Sequence, residues 1–554
     1  METNAMEAWQ THEIANQVDE RRDYNLLDTD APLLEALQRA GAESFVPGLS
    51  RYSEELGRSF GLGEQANEHT PELQLFDKRG RRVDFIDFHP SWHALAAMYR
   101  RQGLVSLPFD NDRQGRWAAW AAGFYLQGQV EAGVLCPATM TQAAIPVLQK
   151  EPALWAQLQD KLVSTDYDER DVPIAQKRSI LIGMGMTEKQ GGSDVRANTT
   201  TATPVGEAGR GNEYRIRGHK WFFSAPMCDA HLVVAKTGDG SPGCFFVPRW
   251  RPDGTKNAVH IQRLKNKLGN RSNSSSEVEF HDAYGVLLGE PGRGIPTIIE
   301  MATYTRLNCV VGSAGILRQA LVQALSYARG RRAFGHLLVE QPLMRAVLAD
   351  LALENEGNVA LMMRLCEGYE NQHEPTQRAW MRIMTPAAKF WVCKRAVELT
   401  GEAMEVLGGN GYIDDGIMAR LFREAPVNSI WEGSGNVMCL DVMRAIGREP
   451  EGFFAILDEL ARDAAGEPRL VAEVQALREL VTTTPPAELE ALGRRLAERL
   501  VLAAMAVLLH RDAPPAVAQA FVATRLDARW GRVAGGIDTR GLDVEALLQR
   551  AFPA

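Results

Sequence analysis

The chain has 554 residues, 45% of them apolar and 24% charged, and a formal net charge of −9. That length exceeds a single hydrophobic core and predicts roughly three or four domains. The acidic balance argues against a nucleic-acid surface spread over the molecule and confines any such role to a local patch.

No apolar run is read as membrane-spanning, and the first residues lack the basic-then-apolar pattern of a signal peptide. The seven cysteines (Cys136, Cys228, Cys244, Cys309, Cys366, Cys393, Cys439) include no C-x-x-C and no paired histidine ligands. They are expected as buried thiols of a cytoplasmic protein, with no disulfide frame and no metal site.

Taken in order, residues 1–180 read as helical, with loops at Pro47-Gly48, at Pro71 and from Tyr167 to Pro173. Trp92 to Arg101 and the alanine-rich Trp117 to Gln129 are expected as helices. From 181 to 292 the pattern changes to alternating segments and β-rich runs. Tyr214-Arg-Ile-Arg217, His231-Leu-Val-Val-Ala235, Cys244-Phe-Phe-Val247 and Glu277-Val-Glu-Phe-His281 predict a small antiparallel sheet or barrel. Residues 293–447 return to helix, with Leu343 to Leu365 and Ala387 to Val406 as long uninterrupted segments. Pro342 and Pro386 suit a first helical turn, Thr385 suits an N-cap, and Gly408-Gly409-Asn410-Gly411 ends the second segment. A boundary near Glu449-Pro450 opens a third helical region, 448–554, broken at Thr482 to Pro486 and at Pro514-Pro515. The predicted class is mainly α with a β middle domain.

Two separated segments carry the chemistry. Residues 184–194, MGMTEKQGGSD, pack Thr187, Gly191, Gly192 and Ser193 into a short turn whose N–H groups can approach an anionic or carbonyl-rich ligand. Residues 428–439, NSIWEGSGNVMC, set Glu432 after Ile430-Trp431 and before Gly433-Ser434-Gly435, where a helix can begin. A glutamate beside that tryptophan is partly desolvated, which raises its pKa towards useful basicity. The plainer alternative is a carboxylate favoured by a helix dipole. Arg331-Arg332-Ala333-Phe334-Gly335 offers a planar donor fork suited to pyrophosphate, or a solvated cap on a helix end.

These motifs resemble those of the acyl-CoA dehydrogenase superfamily. The resemblance implies non-covalent FAD contacted by Met184, Thr187, Gly191, Gly192 and Ser193. It implies a second flavin loop at Trp221, Phe222, Phe223 and Ser224, where W-F-F-S replaces W-I-T-N/S and Phe223 stands for a threonine hydroxyl near N5. Arg331, Phe334 and Gln341 would reach the FAD of a neighbouring subunit, and Gly409 the adenosine half, with Glu405 where a glutamine is usual. Ile430, Trp431, Gly433, Ser434 and Asn436 would surround the catalytic base, Glu432. Arg444 would line the same pocket or anchor its helix. Thr305, before Arg306, occupies the position at which the isovaleryl branch carries its base.

Longer segments resemble one branch, the flavoproteins of the bacterial adaptive response to DNA alkylation. They are FHPSWH (88–93), EAGVLCPATMT (131–141), QKRSILIGMGMTEKQGGSDV (176–195), KLGNRSNSSSEVEF (267–280) and APVNSIWEGSGNVMCLDVMR (425–444). This implies a homotetramer with weak, isovaleryl-CoA-like dehydrogenase activity, acting on an acyl-CoA or a small electrophile. It also implies double-stranded DNA binding by the C-terminal domain and protection of DNA from alkylation. Residues 451–554 hold 12 arginines and no lysine against 15 acidic residues, so contacts are expected from Arg525, Arg529, Arg532 and Arg540, near Trp530. The competing reading is a housekeeping acyl-CoA dehydrogenase with no DNA role.

Overall fold

The computed structural model describes residues 11–110, 112–526 and 533–553. The N-terminal layer contains α1 (Ala31–Arg39), α2 (Val46–Gly57), α3 (Phe60–Glu68), α4 (Pro90–Arg101), α5 (Arg116–Val130), α6 (Leu135–Leu148) and α7 (Pro152–Val163). Alanine and glycine dominate α5 because it is buried on every side, so its neighbours must come close. A Cβ on Gly315 of the facing helix would meet Tyr125 O at 2.6 Å.

Two expectations fail in this layer. Pro47 lies in the first turn of α2, not in a loop, where its missing N–H has no helical partner to lose. An antiparallel hairpin, β1 (Glu72–Phe76) and β2 (Arg82–Asp87), interrupts the helices, turning at Gly80 with φ +75°.

The middle domain contains β3 (Ile182–Gly185), β4 (Thr201–Pro204), β5 (Glu213–Ser224), β6 (Ala230–Lys236), β7 (Pro242–Pro248), β8 (Val259–Leu264) and β9 (Ser275–Leu288). Pairings β4–β5, β5–β9, β9–β7, β7–β6 and β6–β4 close a ring, so it is a barrel. The barrel is mixed, since β3–β6 and β4–β6 run parallel. Tyr214, Ile216, Phe223, Val233, Phe245 and Phe280 fill its interior.

Helix α8 (Gly294–Gly330) is the axis of the second helical layer and packs against α5, α6 and the barrel. By length and composition it is apolar enough to cross a membrane, contrary to the sequence expectation. Its apolar window is 94% buried inside the molecule, which accounts for that composition. After a two-residue hairpin, β10 (Arg332–Ala333) and β11 (His336–Leu337), come α9 (Pro342–Glu370) and α10 (Pro375–Ala379). A π turn at Trp380–Met384 leads directly into α11 (Thr385–Val406), so Thr385 is helical on both sides and caps nothing. Then follow α12 (Gly409–Tyr412), α13 (Ile417–Asn428) and α14 (Gly435–Arg448).

The last hundred residues form α15 (Pro450–Asp463), α16 (Pro468–Thr483), α17 (Pro486–Ala491), α18 (Gly493–Asp512), α19 (Pro515–Arg525) and α20 (Val544–Ala551). They are bolted to the helices below. Arg550 donates to Glu35 at 2.6 and 2.7 Å and to Glu356 at 2.6 Å, Arg329 to Leu548 O at 3.2 Å, and Arg318 to Ala551 O.

This docking overturns one expected DNA contact. The Arg525 side chain is wholly buried, bonds Asp350 and lies 3.5 Å from Glu354. Asp350 also accepts from Gly535 N at 2.8 Å. The local charge pattern looked solvated because the partners lie about 170 residues away on α9. Arg540 is exposed and paired with Asp538 at 2.8 Å, while Arg529 and Arg532, with Trp530, lie outside the described residues.

Arg525→Ala should therefore lower stability by about 3–5 kcal/mol, because it leaves the buried Asp350 without its cation, whereas Glu354 keeps Arg395 at 3.6 Å. Arg540→Ala, breaking one exposed pair, should stay within about 0.5 kcal/mol of wild type. Urea unfolding followed by circular dichroism compares them, and equal midpoints would contradict the burial.

Candidate active site

The turn after β3 is built around one buried charge pair. The Glu188 carboxylate, with no exposed side-chain surface, accepts from Lys220 Nζ at 2.8 Å, Thr199 N at 2.7 Å and Thr200 N at 3.2 Å. Burial opposes its ionisation, but Lys220 and these N–H groups prevail and hold it below the usual carboxylate range. Trp221 N then donates to Thr187 O at 2.8 Å, tying the turn to β5.

With its base fixed, the turn presents main chain outward. Gly191 has φ +142° and nothing within 4 Å of where a Cβ would stand. A Cβ on Gly192 would meet Thr187 Oγ1 at 2.4 Å, so only glycine lets the chain fold over that hydroxyl. Ser193 is exposed, and Met184 and Thr187 are half-buried on the approach. Open main chain, two hydroxyls and the flanking Trp221 suit the ring and phosphates of a flavin dinucleotide. Trp221 is half-buried, with Lys265 Nζ 3.6 Å from its centroid and Lys189 and Arg263 at 5.8 Å.

Phe223 departs from the expected role. The β5–β9 register shifts between Lys220 and Phe223, which turns the Phe223 ring into the barrel. There it is 1% exposed and stacks on His231 at 3.9 Å. It is a core residue, while the neighbouring Phe222 is 53% exposed and Ser224 is half-buried, 3.4 Å from Ser275 Oγ.

Glu432 lies in the turn between α13 and α14, with φ +58° followed by Gly433 at +102°. It stands two residues before Ser434, the N-cap of α14, so the helix-dipole alternative does not describe its setting. Its Oε2 accepts from Thr305 Oγ1 at 2.6 Å. Thus the position that would carry the base in the isovaleryl branch touches the carboxylate here, and the two alternatives converge on one point. Arg306 Nε donates to Glu432 O at 3.2 Å, and its Nη1 to Asp441 at 2.6 Å. Burial raises the Glu432 pKa, opposed by the Thr305 bond and by Lys389 and Arg306.

Trp431 Nε1 donates to Asn428 Oδ1 at 3.0 Å, Ile430 is 65% exposed, and the exposed Asn436 accepts from Arg494 at 3.3 Å. Arg444 is exposed and takes no part in this cluster. Asp441, one turn earlier on α14, does the anchoring and also binds Arg382 at 2.8 Å. Sequence reasoning missed Glu188, Lys220, Lys389 and Asp441. The only signal was charge inside otherwise apolar stretches, such as Lys389 within Pro386 to Cys393.

The remaining motifs lie side by side at the far end of α8. Phe334 (φ +54°, 96% exposed) and Gly335 (φ +84°) form the tip of the β10–β11 hairpin. Asn16 bonds both the N–H and the oxygen of Arg332, Arg331 donates to Asn16 O, and Gln341 Nε2 donates to Ala333 O at 3.1 Å. Gly409 opens α12 beside them, where Asn410 reaches Tyr327 and Gln17 at 3.3 Å each. Among the described residues no cluster of three or more His, Cys, Asp or Glu could hold a metal ion.

Two helical layers around a barrel, a glycine turn on a buried ion pair and a desolvated glutamate define an acyl-CoA dehydrogenase type of flavoprotein. Residues 183–283 match the acyl-CoA dehydrogenase middle domain, 292–447 its C-terminal domain, and 16–169 the adaptive response protein AidB N-terminal domain. The chain is 46% identical to the putative acyl-CoA dehydrogenase AidB of Escherichia coli K12 over 94% of its own length and 96% of that protein. The chain belongs to the AidB family of the acyl-CoA dehydrogenase superfamily, FAD-dependent oxidoreductases acting on CH–CH bonds. Caenorhabditis elegans ACDH-11, solved in complex with C11-CoA, superposes with a TM-score of 0.84 at 24% identity, over 99% of this chain and 94% of that one. The Bd2924 apo-form gives 0.82 at 26% identity, over 90% and 100%.

Glu188→Gln should reduce the flavin-to-protein absorbance ratio of purified material, since it leaves Lys220 buried without a counter-charge. Because the folded pKa of Glu188 lies below its unfolded value of about 4.3, the pair's stabilisation is complete at neutral pH. It is lost only as pH falls through the folded value. Acid titration should thus release flavin from wild type late and from Glu188→Gln at every pH; identical release curves would remove the pair from this role.

Proposed function

We propose that the protein oxidises the Cα–Cβ bond of an acyl-CoA thioester, with Glu432 removing the α-proton. The observation that carries this reading is Glu432 itself: half-buried with its pKa raised by burial, in a left-handed turn and bonded to Thr305 at 2.6 Å. Bound FAD supplies the hydride acceptor. Thr187, Gly191, Gly192 and Ser193 would hold it, with Trp221 beside the ring. Raising the base's pKa moves it closer to working pH, where a general base combines ionisation with driving force. The Glu432 N–H makes no hydrogen bond among the described residues, which leaves it available to an oxygen that gains negative charge as the proton departs. The CoA complex of the C. elegans neighbour supports the substrate class.

A role in DNA protection rests on the adaptive-response family, with duplex DNA as partner and a small alkylating electrophile as a second substrate. Its contacts would come from Arg529, Arg532 and Arg540, whose exposed bond to Asp538 exchanges readily for a phosphate. The 96% exposed Phe334 at the hairpin tip supports assembly of copies into the expected tetramer. Burial of Arg525 favours the competing reading, a dehydrogenase without DNA binding.

Glu432→Gln should retain FAD and slow anaerobic flavin reduction by branched short-chain acyl-CoAs by roughly two to four powers of ten. Unchanged reduction would remove Glu432 as the base. In the wild type, the rate should climb along an acidic limb centred above the ordinary glutamate range, and Thr305→Val should move that limb higher still. For DNA, changing Arg529, Arg532 and Arg540 together to alanine should flatten the log–log salt dependence by about one unit per lost phosphate contact. Wild-type protein that binds no duplex at physiological salt would leave the dehydrogenase reading alone.

A further inference from the structure

The turn that carries Glu432 is held in a conformation that a residue with a Cβ adopts only at a cost. What holds it is cationic. Lys389 Nζ on α11 donates to Asn428 O at 2.9 Å and to Gly433 O at 2.8 Å, the two ends of the turn. Arg306 holds the oxygen between them, that of Glu432.

Lys389 is 1% exposed. Among the described residues no carboxylate lies within ion-pair distance of it, so its charge is compensated by main-chain oxygens. A buried ammonium is expensive, and a methionine would fill the same space without that penalty. The charge therefore serves the turn and not the packing.

We propose that Lys389 is the positioning residue of the catalytic base, clamping both ends of the Asn428 to Gly433 turn so that Glu432 keeps its left-handed conformation against Thr305. This rests on the reading of Glu432 as base. The groups that act on Glu432 are Thr305 and Arg306 from α8 and Lys389 from α11; the carboxylate in turn acts on the Cys136 and Cys309 thiols, and Asp441 from α14 holds Arg306 together with Arg382. Arg306 is neutralised in part by Asp441, so removing the Lys389 charge makes the Glu432 carboxylate harder to ionise.

The test uses FAD-loaded full-length protein carrying Lys389→Met, Lys389→Gln, Glu432→Gln, or Lys389→Met with Glu432→Gln. Lys389→Met should keep its flavin, lose roughly 10²-fold in kcat with little change in KM, and shift the acidic limb of kcat upward. Amides 429–434 should exchange with deuterium faster than in wild type. Lys389→Gln, which can still donate to a carbonyl, should recover part of the exchange protection but keep the shifted limb. The double variant should be no slower than Glu432→Gln within a factor of about 3, because the clamp acts only through the base. Wild-type exchange and wild-type kcat in Lys389→Met would overturn the proposal, as would losses that multiply in the double variant. If Lys389→Met does not fold, the same measurements on Lys389→Gln decide. Retained turnover in Glu432→Gln would remove the base reading instead, while the exchange data still judge the clamp.

Discussion

A carboxylate proposed to take a proton from carbon has to be shielded from water and yet ionised, and the helices around Glu432 answer that conflict. Burial raises the Glu432 pKa and so opposes its ionisation. Apolar packing could not also hold its turn in a left-handed conformation. Two cations that bind the turn's oxygens, and one hydroxyl that binds the carboxylate, meet both demands at once. Those donors need long, rigid supports, and α8 and α11 provide them. The buried length of α8, which gives it the composition of a membrane span, follows from bringing Thr305 and Arg306 to one point in the middle of the molecule.

The flavin turn uses the same physics with the signs reversed. There a buried carboxylate, Glu188, gathers main-chain N–H groups and one lysine, while the main chains of Glu188 and Gly191 bond each other across the turn. In both places a charge buried beneath a short turn organises the backbone, and glycine serves where the chain passes close to a side chain, as Gly192 does over Thr187, or where φ is positive, as at Gly191. Turns fixed in this way need no reorganisation when a charged ligand arrives, which is the property that electrostatic preorganisation requires.

Alternation and β-rich runs located four of the barrel strands, β5, β6, β7 and β9, but not the short β3, β4 and β8, and proline located the breaks at 449–450, 482–486 and 514–515 within a residue or two. These are local signals, legible because local sterics cause them. The β1–β2 hairpin had an alternating pattern, but it is short, half-exposed and set among helices, so helical context dominated the reading. At the site, the motif residues were legible and their supports were not. Thr305 meets Glu432 across 127 residues of sequence, and Arg525 meets Asp350 across 175. No periodicity encodes such pairs. Phe223 misled for the opposite reason: its place in the motif is right, but a one-residue register shift sends its ring to the other side of the sheet.

The return of α20 to the first helices has a bearing on how the chain is made. Glu35 finds its Arg550 partner 515 positions later, and Arg318, midway along, closes on Ala551 O. At about 5–20 residues per second, a ribosome needs on the order of 25–100 s between those two points. Throughout that interval Glu35 stands without Arg550, as Glu356 does from its own synthesis onward, so the N-terminal layer must wait, incompletely sealed, for the final turn of helix. Synthesis and closure are therefore coupled: a stalled or shortened chain would present a finished barrel beside an open helical layer.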